Sequence, residues 1–239
     1  MEVIMGADYD EMSQKAFEQV DRLLHQKNDA ILGLATGSTP IGLYRRLVRA
    51  YREGKLDFSQ VQSFNLDEYL GIDEKNPQSY HSFMQEQLFQ GINIRPSAIH
   101  FPHLVEEGEL DYDEQLRRVG YVDLQILGIG RNGHIAFNEP AEALNVKTSQ
   151  VQLTPSTIEA NSRFFDRKED VPTRAISMGL GSIMKAKKIL LLASGADKAE
   201  AVSRLLDGEQ ITTKCPATML LMHPNCLLIV DRAAAGRLS

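Results

Sequence analysis

Short apolar runs alternate with helix-spaced stretches from one end of the chain to the other, and that alternation most restricts the fold. Residues 29–35 form an apolar run too short for a helix, after which Leu43, Tyr44, Leu47, Val48 and Tyr51 recur at helical spacing. Residues 61–66 read as a strand and 80–89 as a helix, and 122–128, 175–178, 189–193 and 227–230 read as further strands. Ahead of all these, Met12, Ala16, Phe17, Val20, Leu23 and Leu24 mark a first helix, entered through an Asp8 and Glu11 pair that resembles a capping box. Strands apolar throughout and separated by helices must be covered on both faces. The expected fold is therefore α/β: an open, mostly parallel sheet with helices on both faces, Rossmann-like but modified. At 239 residues, with no internal repeat or low-complexity linker, one domain over 1–239 can close such a core.

The formal net charge of −6 argues against nonspecific nucleic-acid binding, which needs a positive surface. Cys215 and Cys226 are the only cysteines and lack Cys-x-x-Cys spacing, which suits a reducing compartment. Residues 1–15 carry acids and no apolar run, and no segment approaches the ~18 apolar residues of a membrane span. A cytoplasmic protein with no membrane partner is expected. His100 and His103 flank Phe101 and Pro102 and read as a connecting loop rather than a metal site, and 106–114 reads as a solvated acidic loop and helix start.

Chemistry concentrates at 128–140, Gly-Ile-Gly-Arg-Asn-Gly-His-Ile-Ala-Phe-Asn-Glu-Pro, directly after the strand at 122–127. Open α/β sheets place ligands beyond the carboxyl ends of their strands. A tight turn of mutually satisfied polar groups rarely needs Asn132, His134 and Glu139 together. Gly128, Gly130 and Gly133 do spell G-x-G-x-x-G, but that fingerprint needs a helix opening at its third glycine. Here Pro140 arrives too soon for one and turns Glu139 toward an extended form, so no nicotinamide cofactor is expected.

Two further strand–helix junctions look ready for an anion. In the first, at 34–40, Thr39 is a natural N-cap and Pro40 a natural first helical residue, and Gly37 and Ser38 leave amides free before a positive dipole end. An ordinary capped turn would look the same, and the Gly-Lys-Ser/Thr ending of a Walker loop is missing. In the second, Lys198 stands in a first turn where the macrodipole disfavours a cation, a conflict that either a bound anion or Asp197 would relieve. Asp67 and Glu68 follow the strand at 61–66 and point differently, so one of them, Asp67, is expected in the crevice with His134.

Taken together, these motifs resemble the glucosamine-6-phosphate deaminases of the glucosamine-6-phosphate isomerase family. The resemblance covers essentially the whole chain. It rests on Leu-Ala-Thr-Gly-Ser-Thr-Pro at 34–40, Asn-Leu-Asp-Glu-Tyr at 65–69, Gly-His-Ile-Ala-Phe-Asn-Glu-Pro at 133–140, Ala-Asn-Ser-Arg-Phe-Phe at 160–165 and the turn from Gly195 to Lys198. It implies conversion of glucosamine 6-phosphate and water to fructose 6-phosphate and ammonia, in amino-sugar catabolism, with no cofactor and no catalytic metal. It also implies roles. Asp67 moves a proton between C2 and C1; His134 opens the pyranose ring, supported by Asn132 and Glu139. Gly37, Ser38, Thr39, Arg163 and Lys198 hold the phosphate, and the segment around Arg163 resembles a lid.

Two departures qualify the resemblance. Asn132 stands where many relatives have Asp, which suggests hydrogen bonding rather than proton carriage. Residues 141–151 lack the Gly-Ser-Ser run and the basic residues of allosterically controlled hexamers, so a short, unregulated monomer or low-order homo-oligomer is expected. A sugar-phosphate sensor and a phosphogluconolactonase are the alternatives. A sensor has no use for Asp67, His134 and Glu139 together.

Overall fold

The computed structural model describes residues 1–104, 111–162, 165 and 167–236. In chain order the elements begin β1 (Glu2–Gly6), α1 (Tyr9–Gln26), β2 (Ile31–Leu34), α2 (Ile41–Arg52), β3 (Gln62–Asn65), β4 (Asp67–Tyr69) and α3 (Tyr80–Gln87). Next come β5 (Ile99–His100), α4 (Tyr112–Arg118), β6 (Leu124–Gly128), β7 (Ser149–Gln152), α5 (Pro155–Ser162), β8 (Arg174–Ser177) and α6 (Leu180–Ile183). The chain closes with β9 (Ile189–Ala193), α7 (Ala199–Leu206), β10 (Cys226–Asp231) and α8 (Arg232–Ala235).

Seven strands make one sheet in the order β1-β10-β9-β6-β2-β3-β5, and every described pairing within it is parallel. From β2 the chain steps outward to β3 and β5, then returns to β6 on the other side of β2. The switch point therefore lies between β2 and β6, where an open sheet opens a crevice at its carboxyl edge. The strands β9 and β10 are buried along their whole length, as a sheet covered on both faces requires. Asp123 ties the amino ends of β2 and β6 together: it accepts the Ile31 N–H (2.8 Å) and pairs with Lys27 (3.0 Å) and Lys187 (2.7 Å).

Local details depart from the sequence reading in four places. The strand at 175–178 is β8, but it lies in a second, three-stranded antiparallel sheet, β4-β8-β7, seated at the carboxyl edge. Antiparallel partners from distant segments leave no mark on a single apolar run. Strand β1 escaped notice because, as an edge, it keeps Val3 and Met5 largely exposed. Helix α2 begins at Ile41 with Pro40 at its cap and no side-chain cap from Thr39; Tyr9 of α1 takes that role, its hydroxyl accepting the Gly42 N–H at 2.7 Å. His100 belongs to β5, not a loop, with its ring stacked on Phe64 (4.4 Å between centroids). The helix start within the acidic stretch is present as α4, capped by Asp111; the rest of that stretch, 106–110, lies outside the described residues.

Candidate active site

The strand order β9-β6-β2-β3 lines up four loops that carry candidate site residues along one edge. They carry, in turn, Lys198, His134, the turn of Gly37, Ser38 and Thr39, and Asp67. Because the strands are parallel, all four loops leave the sheet on the same side.

The loop after β6 forms a closed acid–base cluster. Asn132 Oδ1 accepts the His134 backbone N–H (3.1 Å), which fixes the orientation of its carboxamide. The same oxygen faces His134 Nδ1 at 2.8 Å, so Nδ1 carries the proton and Nε2 is left as the basic nitrogen. Asn132 Nδ2 donates to Glu139 Oε2 at 2.7 Å, while Glu139 Oε1 lies 3.3 Å from His134 Nδ1 and accepts the Thr157 hydroxyl. Burial pushes the Glu139 carboxyl up, but His134, Thr157 and Asn132 outweigh it and hold it at about 2. The imidazole lies flat against Gly130, where a Cβ would come within 2.2 Å of its Cε1. That close approach is why this position lacks a side chain.

Hydrogen bonds between side chains and backbone hold this loop to the small sheet. Asn138 Nδ2 donates to the carbonyls of Ile135 (3.0 Å) and Met178 (2.9 Å), and the Phe137 N–H reaches Ser177 Oγ (3.1 Å). The turn places Ala136 in the left-handed region (φ 51°), a strained conformation that these contacts maintain. Phe137 stacks on Tyr80 and packs on Tyr69 in a satellite apolar cluster of their own.

Asp67 opens β4, in register with Ser177 of β8, the residue that receives the Phe137 N–H. It is 6% exposed, and among the described residues no donor reaches its carboxyl. Burial, with the neighbouring Glu68 charge, pushes it up to about 8. Glu68 has a different environment: it accepts the N–H groups of Tyr69, Tyr80 and His81 at 2.8–3.0 Å, capping α3. Burial raises Glu68, and those three amides offset part of the rise. Glu68 is the carboxyl of the pair tied into the fold, and Asp67 is the one with no donor to it among the described residues.

The turn after β2 exposes Gly37 and Ser38, with Gly37 at φ 95°. Among the described residues no acceptor takes the N–H groups of Gly37, Ser38 or Thr39. Across β6, the turn after β9 is fixed by Asp231, whose carboxylate accepts from Ser194 Oγ and the Gly195 N–H. A short 3-10 turn over Ala196–Lys198 precedes α7, so Lys198 stands at that helix's cap. Asp197 lies 3.7 Å from Lys198 Nζ and 2.9 Å from Arg131 Nε; burial pushes its carboxyl up, but Arg131 and Lys198 hold it below the usual range. Arg163 lies outside the described residues, and Phe165 beyond it packs edge-on against Tyr69. Among the described residues no cluster of His, Cys, Asp and Glu could hold a metal ion, and no helix is long and apolar enough to cross a membrane.

The sequence reading missed Thr157, Arg131 and Asp231. The Thr-Pro pair at 154–155, an N-cap and first-position signature, could have placed Thr157 in a first helical turn. Nothing local joins it to Glu139.

Fold and site define an α/β protein of modified Rossmann type whose functional loops gather at one switch point. The family of glucosamine-6-phosphate isomerases and 6-phosphogluconolactonases matches over residues 7–228, and the chain belongs to that family. It is 52% identical over 240 residues to the glucosamine-6-phosphate deaminase of Thermoanaerobacter pseudethanolicus, covering 99% of this chain and 94% of the relative. It is 51% identical to that of Halothermothrix orenii, covering the whole of both. A solved monomeric glucosamine-6-phosphate deaminase superposes with a TM-score of 0.92 at 40% identity, covering 98% of this chain and 99% of that one. A 6-phosphogluconolactonase of Thermotoga maritima superposes at 0.72 with 20% identity over 97% and 99% of the two chains, and shares the fold.

Proposed function

We propose that this protein converts glucosamine 6-phosphate and water into fructose 6-phosphate and ammonia. The observation that supports it most is a pair of carboxyls in opposite states: Asp67 buried, with no donor to it among the described residues, and raised to about 8, Glu139 met by three donors and held at about 2. Environments that push two carboxyls apart separate their acid and base roles.

The reaction divides between them. His134 Nε2 takes the proton from the anomeric hydroxyl and returns one to the ring oxygen, opening the ring. Glu139 and Asn132 keep the Nδ1 proton in place throughout, and the Glu139 charge stabilises the imidazolium. Asp67 then removes the C2 proton. The substrate's C2 ammonium supplies the counter-charge that Asp67 lacks in the free protein, and it acidifies the same carbon. The resulting enolamine is reprotonated at C1 to an imine, which water hydrolyses to the ketose with release of ammonia. The amides of Gly37, Ser38 and Thr39, with Lys198 and Arg163, hold the phosphate, and that binding energy orients the reacting carbons.

The setting is cytoplasmic amino-sugar catabolism, including sugars derived from N-acetylglucosamine. The protein works as a monomer or low-order homo-oligomer without an effector, a reading supported by the groups missing from 141–151. Incubating the protein with glucosamine 6-phosphate, and separately with 6-phosphogluconolactone, tests the activity. Equimolar fructose 6-phosphate and ammonia from the first is expected; lactone hydrolysis with no ammonia would refute it. Substrate curves should be hyperbolic and unchanged by N-acetylglucosamine 6-phosphate except for weak competition. A sigmoidal curve that this compound straightens would show that regulation is present.

A further inference from the structure

Thr157 is buried, at 7% exposure, in the first turn of α5. Its N–H and hydroxyl both meet Thr154: Thr154 Oγ1 accepts the N–H at 3.3 Å and donates its own proton to Thr157 Oγ1 at 3.1 Å. A hydroxyl has a single proton, and that of Thr157 goes to Glu139 Oε1. The chain of donors runs one way, from Thr154 to Thr157 to the carboxylate. Its end point is the same oxygen that faces His134 Nδ1 at 3.3 Å. Helix α5 runs on from there to Ser162, the residue before Arg163. A single hydroxyl thus joins the first turn of α5 to the carboxylate that faces the imidazole.

We propose that Thr157 is a positioning residue for the reaction, holding Glu139 Oε1 in place against His134 and fixing the start of α5 to that carboxylate. This rests on the reading of Glu139 and His134 as the ring-opening pair. A methyl in place of the hydroxyl leaves Oε1 with one partner fewer in a site that water reaches poorly. The carboxylate then rotates or draws the Nδ1 proton toward itself, and either change spoils the alignment of Nε2. The sequence interval of 18 residues between the two groups hides this link from any local reading.

The test compares the full chain with Thr157→Val, which keeps the shape, and Thr157→Ser, which keeps the donor. Turnover of glucosamine 6-phosphate should fall roughly tenfold or more in the valine variant, the scale of one hydrogen bond to a charged group. The serine variant should recover most of it. Titration of carboxyl-labelled Glu139 by carbon NMR should show its ionisation moving up from about 2 in the valine variant and not in the serine variant. The labelled-carbon signal is followed only over the pH range in which circular dichroism shows each variant folded, so a loss of stability in the valine variant does not obscure it. Unchanged turnover and an unchanged Glu139 titration with valine would overturn the proposal, as would a turnover loss that serine fails to restore. If the unaltered protein releases no ammonia from glucosamine 6-phosphate, the parent reading fails instead.

Discussion

Two carboxyls set the behaviour of the site at the residue scale, and one glycine sets its shape. Asp67 is held near 8 against an unfolded value of about 3.9. A raised folded value means stability that is present below pH ~4 and lost as pH climbs through 8, because the folded state must ionise a buried carboxyl. Asp67→Asn should therefore abolish deamination while raising thermal stability at neutral and alkaline pH, by on the order of 2–4 kcal/mol at pH 7, with little change near pH 4. Thermal melts of both proteins across that range check it; an asparagine variant less stable than the unaltered protein at pH 8 would contradict the burial argument. Gly130→Ala makes a narrower point. Its new Cβ would lie 2.2 Å from the imidazole, so His134 must swing away. Turnover should fall at least about tenfold while the melting temperature moves little, since the displaced ring is partly exposed. Wild-type turnover in that variant would mean that the imidazole position does not matter.

Secondary-structure elements carry the same argument one level up, where legibility in the sequence divides sharply. The strands β2, β6, β9 and β10 could be read because each is a largely apolar buried run, and β3, itself Gln-Ser-Phe-Asn, from the apolar Val61 and Leu66 that flank it; the loops after β2, β3, β6 and β9 hold the candidate site. The small sheet β4-β8-β7 could not be assembled from sequence, because its partners lie far apart and its strands are short. Asp67 was legible as a crevice carboxylate but not as the first residue of a strand in that sheet. Thr157 was illegible because its meaning depends on a contact with Glu139. The Asp123 cluster offers a test at this scale. Burial pushes Asp123 up, yet Lys187, the Ile31 N–H and Lys27 hold it below the usual range, so its contribution is present above pH ~4 and fades in acid. Asp123→Ala leaves the Ile31 N–H buried without an acceptor and should cost roughly 2–3 kcal/mol at pH 7 by denaturant unfolding. A loss below about 0.5 kcal/mol would show that the amino ends of β2 and β6 do not need this link.

The whole molecule is a parallel sheet that brings four sequence-distant loops to one edge, with a second sheet bracing two of them. Asn138, through Met178, and Ser177 hold the His134 loop to the end of β8, whose partner β4 begins with Asp67, so the groups proposed for proton abstraction and ring opening share one frame. The central claim is that this frame moves a proton off C2 of an amino-sugar phosphate. Glucosamine 6-phosphate deuterated at C2, incubated with the protein and followed by NMR, measures it most directly. Deuterium should leave C2 and be found at C1 of fructose 6-phosphate or in water, with one ammonia released per ketose, and it should remain at C2 with Asp67→Asn. Ammonia release with deuterium retained at C2, or loss of deuterium undiminished in Asp67→Asn, would contradict the account.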